Sequence, residues 1–191
     1  MGSEFHCNTE TEKPKTILVH EPGLETRLAK ADPIFWGFDP SLKDDQRPFE
    51  EWLEDGKNEH RIMVSVLQNE GINVPYVTFL LQQRPQEIIK YLNAQFAKVE
   101  PKIGAFETEV QNAIREAYEA MLESPVHGLL LGLESGKKFE QLPYARKLEV
   151  YKRLGTLMPQ TSLYYTQDPV ISSPSGLIKS RMAMFVRKQE P

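Results

Sequence analysis

A single cysteine, Cys7, is all the thiol chemistry the sequence offers. It excludes an intramolecular disulfide and any site built from several thiolates, and it points to a reducing, cytoplasmic compartment or to a fold that needs no staple. Cys7 sits in a polar stretch with no cationic cluster or helix start beside it to lower its pKa, so it reads as a terminal thiol rather than a nucleophile. Long apolar runs are also lacking. The two longest, Val74 to Leu81 and Gly128 to Leu133, fall far short of the roughly 20 residues a membrane-spanning helix needs, so no membrane partner is expected. An excess of positive charge is missing too. Lys and Arg number 23 against 27 Asp and Glu, a net charge of −4 with both signs interspersed, which argues against nucleic acid as a partner. The phosphate-binding glycine loops, the H-E-x-x-H and C-x-x-C metal and redox motifs and the G-x-S-x-G nucleophile elbow are all absent. Four histidines, His6, His20, His60 and His127, are scattered over a tail, a turn, a helix and a helical block, poor material for a metal site.

What is present is ordinary globular usage: 40% hydrophobic and 26% charged residues over 191 positions, enough for one domain or a large fragment of one. Met1 to Phe5, MGSEF, reads as a cloning scar, and residues 1–7 are set apart from the fold as scar or disorder. Residues 8–82 read as a first α/β module. Thr16 to Val19 is a β-branched strand that ends at the turn His20-Glu21-Pro22-Gly23. Asp32 to Asp45 is an ordered loop carrying Phe35, Trp36 and Phe38. Pro48 to Gln68 has helical apolar spacing with Gly71 as its stop, and His60, near the apolar face, reads as a structural histidine. Val74 to Leu81 reads as a second strand pairing with the first. Residues 83–158 form a helical insertion with three longer helices and a short one, punctuated by Pro101, Pro125, Pro143 and several glycines. Residues 159–191 open a further α/β module, with strands at Leu163 to Thr166 and Gly176 to Ser180 and a helix from Arg181.

Read singly, Asp168 is a turn-forming residue before Pro169, although a carboxylate at a strand end is rigidly held, as binding groups often are. Taken together, the motifs say more. KTILVHEPGLE within Thr11 to Glu25, Gly37-Phe38-Asp39, Glu59-His60 and Gly71-Ile72-Asn73-Val74, followed by LYYTQDP (Leu163 to Pro169), Gly176-Leu177-Ile178 and RMAMFVRKQE (Arg181 to Glu190), resemble elements of the arginine deiminase family in order and spacing. The similarity spans about Asn8 to Glu190 and corresponds to the N-terminal half of such an enzyme. Gln167 stands where the family usually has Arg, and Phe38-Asp39-Pro40-Ser41 replaces a characteristic F-D-D.

This resemblance implies an α/β fold, a partial pentein-like propeller of ββαβ modules carrying a helical-bundle insertion. It implies a place in arginine metabolism: hydrolysis of L-arginine to L-citrulline and ammonia, with no metal and no organic cofactor. Guanidinium is planar and permanently charged, so carboxylates grip its N–H fork while a thiolate attacks the central carbon and a histidine shuttles protons. Asp168 matches the aspartate that holds the guanidinium, and Arg187, 19 residues further on, matches the arginine that pairs with the substrate α-carboxylate. The family's cysteine and histidine belong to the other half, so no complete catalytic set is expected in this chain. The expected partners are L-arginine or another guanidine, together with a C-terminal half or a second copy, because a propeller cut between modules exposes unpaired strand edges. The alternative is a non-catalytic guanidine-binding or interaction protein that retains the fold.

Overall fold

The computed structural model describes residues 14–32, 44–161, 170–173 and 176–179. They fall into two compact units, one comprising residues 14–80 with the strands of 170–179, the other residues 81–161.

In the first unit, residues 15–19 and 73–77 run parallel and meet at two bridges, Thr16 with Asn73 and Val19 with Tyr76. Four backbone bonds hold them: Ile17 N–H to Asn73 O (2.8 Å), Val19 N–H to Pro75 O (3.0 Å), Asn73 N–H to Lys15 O (2.9 Å) and Val77 N–H to Val19 O (2.8 Å). After the His20–Gly23 turn, a 3-10 turn at Leu24–Thr26 leads into helix α1, Arg27–Ala31. Helix α2, Phe49–Asn69, is the long helix expected from the apolar spacing. Glu50 and Glu51 in its first turn face the positive end of the helix dipole. Its inward residues, Leu53, His60 and Val64, recur every four to seven positions, so they form one stripe. Gly71, at φ +76°, takes the left-handed conformation that ends such a helix, and Ile72 N–H bonds back to Leu67 O at 3.1 Å. Val19, Val64, Ile72 and Val74 form the apolar core here, with Ile17, Leu67 and Tyr76 packed against them. Separately, β1 (Val170–Ser173) and β2 (Gly176–Lys179) pair antiparallel, Ile171 opposite Ile178 and Ser173 opposite Gly176.

The second unit is helical. It contains α4 (Pro85–Ile103), α5 (Thr108–Glu123), α6 (Pro125–Leu131), a 3-10 turn (Gly132–Ser135), α7 (Lys137–Glu140) and α8 (Tyr144–Leu154). A six-residue helix, α3 (Val77–Gln82), spans the boundary between the units. Ile88, Leu92, Phe96, Val99 and Ile103 line the inner face of α4, and Val110, Ala113, Ile114, Ala117 and Met121 that of α5. Each large side chain removed from water contributes about 1.5–3 kcal/mol. Two glycines bring main chain against α5. A Cβ at Gly128 would lie 2.5 Å from Met121 Cα, and one at Gly136 would lie 2.5 Å from Ala117 Cα. After α8 the chain leaves regular structure over residues 155–161 and is tied by Leu133 N–H to Leu157 O (2.9 Å) and Gln160 N–H to Leu130 O (2.8 Å).

The propeller of ββαβ modules expected from the family resemblance is not the architecture of the described residues. Helix dominates, and extended pairing is limited to two parallel bridges and one two-stranded hairpin. Val74 to Leu81 shows why. The pairing ends at Val77, and Leu80 N–H then bonds to Tyr76 O at 3.3 Å, so the run Val77 to Leu81 is helical. A short β-branched and aromatic run has no periodicity that separates strand from helix. Pro101, expected to break the insertion, lies inside the last turn of α4, which ends two residues later. The strand expected at Gly176 to Ser180 is present as β2, whereas β1 lies where none was expected. The aromatic loop segment 33–43 and the expected strand Leu163 to Thr166 fall outside the described residues.

Candidate functional site

Asp168 and Arg187, the two residues assigned by motif to substrate binding, both fall outside the described residues, as does Cys7. The nearest described element is β1, which begins two residues after Asp168.

Two buried polar constellations are described. The first lies at the end of the extended segment 15–19. His20 Nε2 is 3.0 Å from Glu25 Oε1, with the two residues only 3% and 4% exposed. The same carboxylate oxygen accepts the Gly23 N–H at 2.7 Å. Thr26 Oγ1 closes the turn by donating to Gly23 O, also at 2.7 Å. A Cβ at position 23 would sit 2.5 Å from Glu25 Oε2, so a side chain there would displace the carboxylate. Proline and glycine bring His20 and Glu25, five residues apart, onto one side of the turn, and the carboxylate fixes the imidazole's orientation. Such a pair is the elementary unit of proton transfer, since the acid holds the base in one tautomer. His60, 1% exposed on α2, lies in the same unit with its ring 5.7 Å from the ring of Tyr76. Burial holds the His60 pKa below the usual 6.5, opposed by the Glu21 carboxylate and assisted by His20 and Arg61.

The second constellation is in the helical unit. Glu134 accepts from Lys147 Nζ at 2.6 Å through one oxygen and from the Tyr151 hydroxyl at 2.7 Å through the other. Lys147 and Tyr151 are four residues apart on α8, hence on the same face, and both are buried. Burial, and then the Glu134 charge, push the Tyr151 phenol well above its usual pKa. With both carboxylate oxygens engaged and the cation neutralised, this cluster is a packing device: the charges are buried because they are paired.

Sequence reading passed over Glu25, Glu134 and Lys147. For Glu25 the signal was available as an acid five residues after His20 across a Pro-Gly turn. For Lys147 it was a cation spaced with Tyr144, Tyr151 and Leu154 on an otherwise apolar helix face. Nothing in the sequence marked Glu134 as their common partner. Among the described residues, no group of three or more His, Cys, Asp or Glu is placed to hold a metal ion. No described helix is long and apolar enough to cross a membrane.

A protein from Oenococcus oeni named arginine deiminase is 25% identical over 197 residues, which covers 98% of this chain and 44% of the relative. The chain is similar to arginine deiminases. The arginine deiminase of Metamycoplasma hominis is 27% identical over 193 residues, covering 97% of the chain and 42% of its own length. That of Streptococcus gordonii is 27% identical over 199 residues, covering 97% and 44%. The chain thus spans less than half the length of the arginine deiminases it matches. No family model and no solved structure matches it.

Proposed function

We propose that this chain is the substrate-binding part of an arginine-deiminase-like hydrolase. The observation that carries the proposal is similarity to arginine deiminases along 97–98% of the chain. In this reading Asp168 accepts N–H bonds from the substrate guanidinium, which aligns the planar cation and keeps its charge compensated. Arg187 forms a bidentate pair with the α-carboxylate. The attacking thiolate and the proton-carrying histidine come from polypeptide outside this chain. The thiolate adds to the guanidinium carbon and the C–N bond breaks with release of ammonia. Water then displaces the sulfur to give L-citrulline, and the histidine carries the protons between steps. The described unit of residues 14–80 would serve as part of the scaffold.

Calorimetric titration with L-arginine tests the binding assignment. The chain binds L-arginine, Asp168→Ala loses that binding, and Arg187→Ala weakens L-arginine while leaving agmatine, which lacks the carboxylate, unchanged. An Asp168→Ala variant that binds as well as the parent sinks the assignment. The alternative, a guanidine-binding protein without catalysis, predicts the same titration. It differs in that no citrulline forms when a polypeptide supplying the thiolate and histidine is added.

A further inference from the structure

Helix α2 is fully buried only along Leu53, His60 and Val64. At about 3.6 residues per turn, Glu51, Asp55, Glu59, Ile62 and Val66 share the opposite side, and all five are exposed. Ile62 is 66% and Val66 57% exposed, and Met63 borders them at 39%. Six large apolar side chains stand exposed among the described residues, and these are three of them, so they form a patch rather than a scatter. Charge on this side has one sign. The two cations of the helix, Lys57 and Arg61, lie on the other flank, where Arg61 bonds to Glu21 and Glu54. Asp55 is engaged by Arg47, whereas Glu51 and Glu59 have no ion-pair partner among the described residues.

We propose that the outer side of α2 docks a cationic amphipathic helix of a partner protein. Apolar positions of that helix cover Ile62, Met63 and Val66, and its Lys or Arg residues meet Glu59 and Glu51 further along. Burial of the apolar patch supplies the affinity, while the acids, exposed and screened, supply orientation and the rate of encounter. Charge selects this occupant over the others. A second copy stacked antiparallel on α2 would bury Asp55 and Glu59 against Val66 and Ile62, and one stacked parallel would set acid against acid. Either arrangement desolvates or opposes carboxylates without a cation to meet the free ones. An anionic lipid surface or a nucleic acid faces the same acids and is repelled. This docking requires neither Asp168 nor Arg187, so it stands apart from the arginine site proposed above.

The probe is a synthetic helix of about 18 residues with Leu at i, i+3, i+4 and i+7 and Lys elsewhere. Titrated into the full chain, it shifts the amide NMR signals of residues 51–66 and leaves those of α4 and α5 in place. Ile62→Ser combined with Val66→Ser weakens the binding about tenfold or more. Both positions are exposed, so the spectrum of that variant otherwise overlays the parent's. Glu51→Lys with Glu59→Lys weakens binding at low salt and has a smaller effect at high salt. Absence of binding overturns the proposal. So does a Leu and Lys peptide of the same composition without the stripe, or the same helix with Glu in place of Lys, that binds as tightly. A chain that dimerises in sedimentation, and becomes monomeric in the Ile62→Ser, Val66→Ser variant, gives the face to a second copy and overturns it too.

Discussion

In the helical unit of residues 81–161 the largest fully buried side chains are Tyr151, Phe139, Leu92, Ile103, Ile114, Met121 and Leu133, contributed by α4, α5, the 3-10 turn Gly132–Ser135, α7 and α8. In the unit of residues 14–80 the apolar cluster is four aliphatic residues, and His20, Glu25, Thr26 and His60 are buried within the same unit. The difference teaches where pH acts. An apolar interior gains its free energy from water release, which is indifferent to protonation, so in the helical unit pH acts through the buried Glu134–Lys147–Tyr151 cluster. An interior lined with imidazole and carboxylate depends on the ionisation state of each group.

The largest expected effect sharpens the helical side of this contrast. Phe139→Ala removes a fully buried ring that packs against Tyr151 at 5.5 Å between centroids, and costs about 3–5 kcal/mol of stability in urea denaturation. A loss below 1 kcal/mol would mean that the ring does not anchor the core. Next comes the one buried ionic cluster of that unit. Glu134→Ala leaves Lys147 charged and unpaired, a penalty of about 3–5 kcal/mol, while Glu134→Gln, which keeps an acceptor, recovers part of it. Equal losses for the two variants would show that packing, not charge, is what Glu134 supplies.

A third prediction concerns the other unit. Burial holds His60 below 6.5 in the folded protein, so the unfolded chain takes up a proton near that pH which the folded unit resists. Stability is therefore full above pH 6.5 and declines as the pH falls through that value toward the folded pKa. Thermal midpoints across this range, followed by amide exchange in α2, show the decline. His60→Gln flattens it, and an unchanged slope in that variant transfers the effect to another group. The smallest effect is at the surface. Arg47 bonds to Asp45 and Asp55, and it lowers the Asp45 pKa to about 2. Arg47→Ala returns the Asp45 titration toward 3.8 by NMR while leaving the thermal midpoint in place, because exposed ion pairs contribute little net stability.

Much of the helical architecture was legible in the sequence. Phe49, Trp52, Leu53, Met63, Val66 and Leu67 marked a helix that the structure places at Phe49–Asn69. The same residues also show the limit of such a reading, because Met63 and Val66 are exposed while His60 and Val64 carry the buried stripe. Period alone gives the element, not the phase of its buried face. The fold class was not legible. Extended pairing depends on partners distant in sequence, and Val77 to Leu81 satisfies strand propensity while its backbone closes helical bonds. The same holds for the polar interior: the partnership of Glu134 with Lys147 spans 13 residues and a change of direction, so no local pattern encodes it.

The bare Cα atoms of Gly128 and Gly136 rest directly on the main chain of α5, at Met121 and Ala117. Because main chain meets main chain there, the spacing has no rotamer to adjust and no methyl group to spare. In a saturation library the two positions would register as single-letter columns between tolerant neighbours, a ruler written in hydrogen atoms that sets the distance from α5 to helix α6 and to the start of α7.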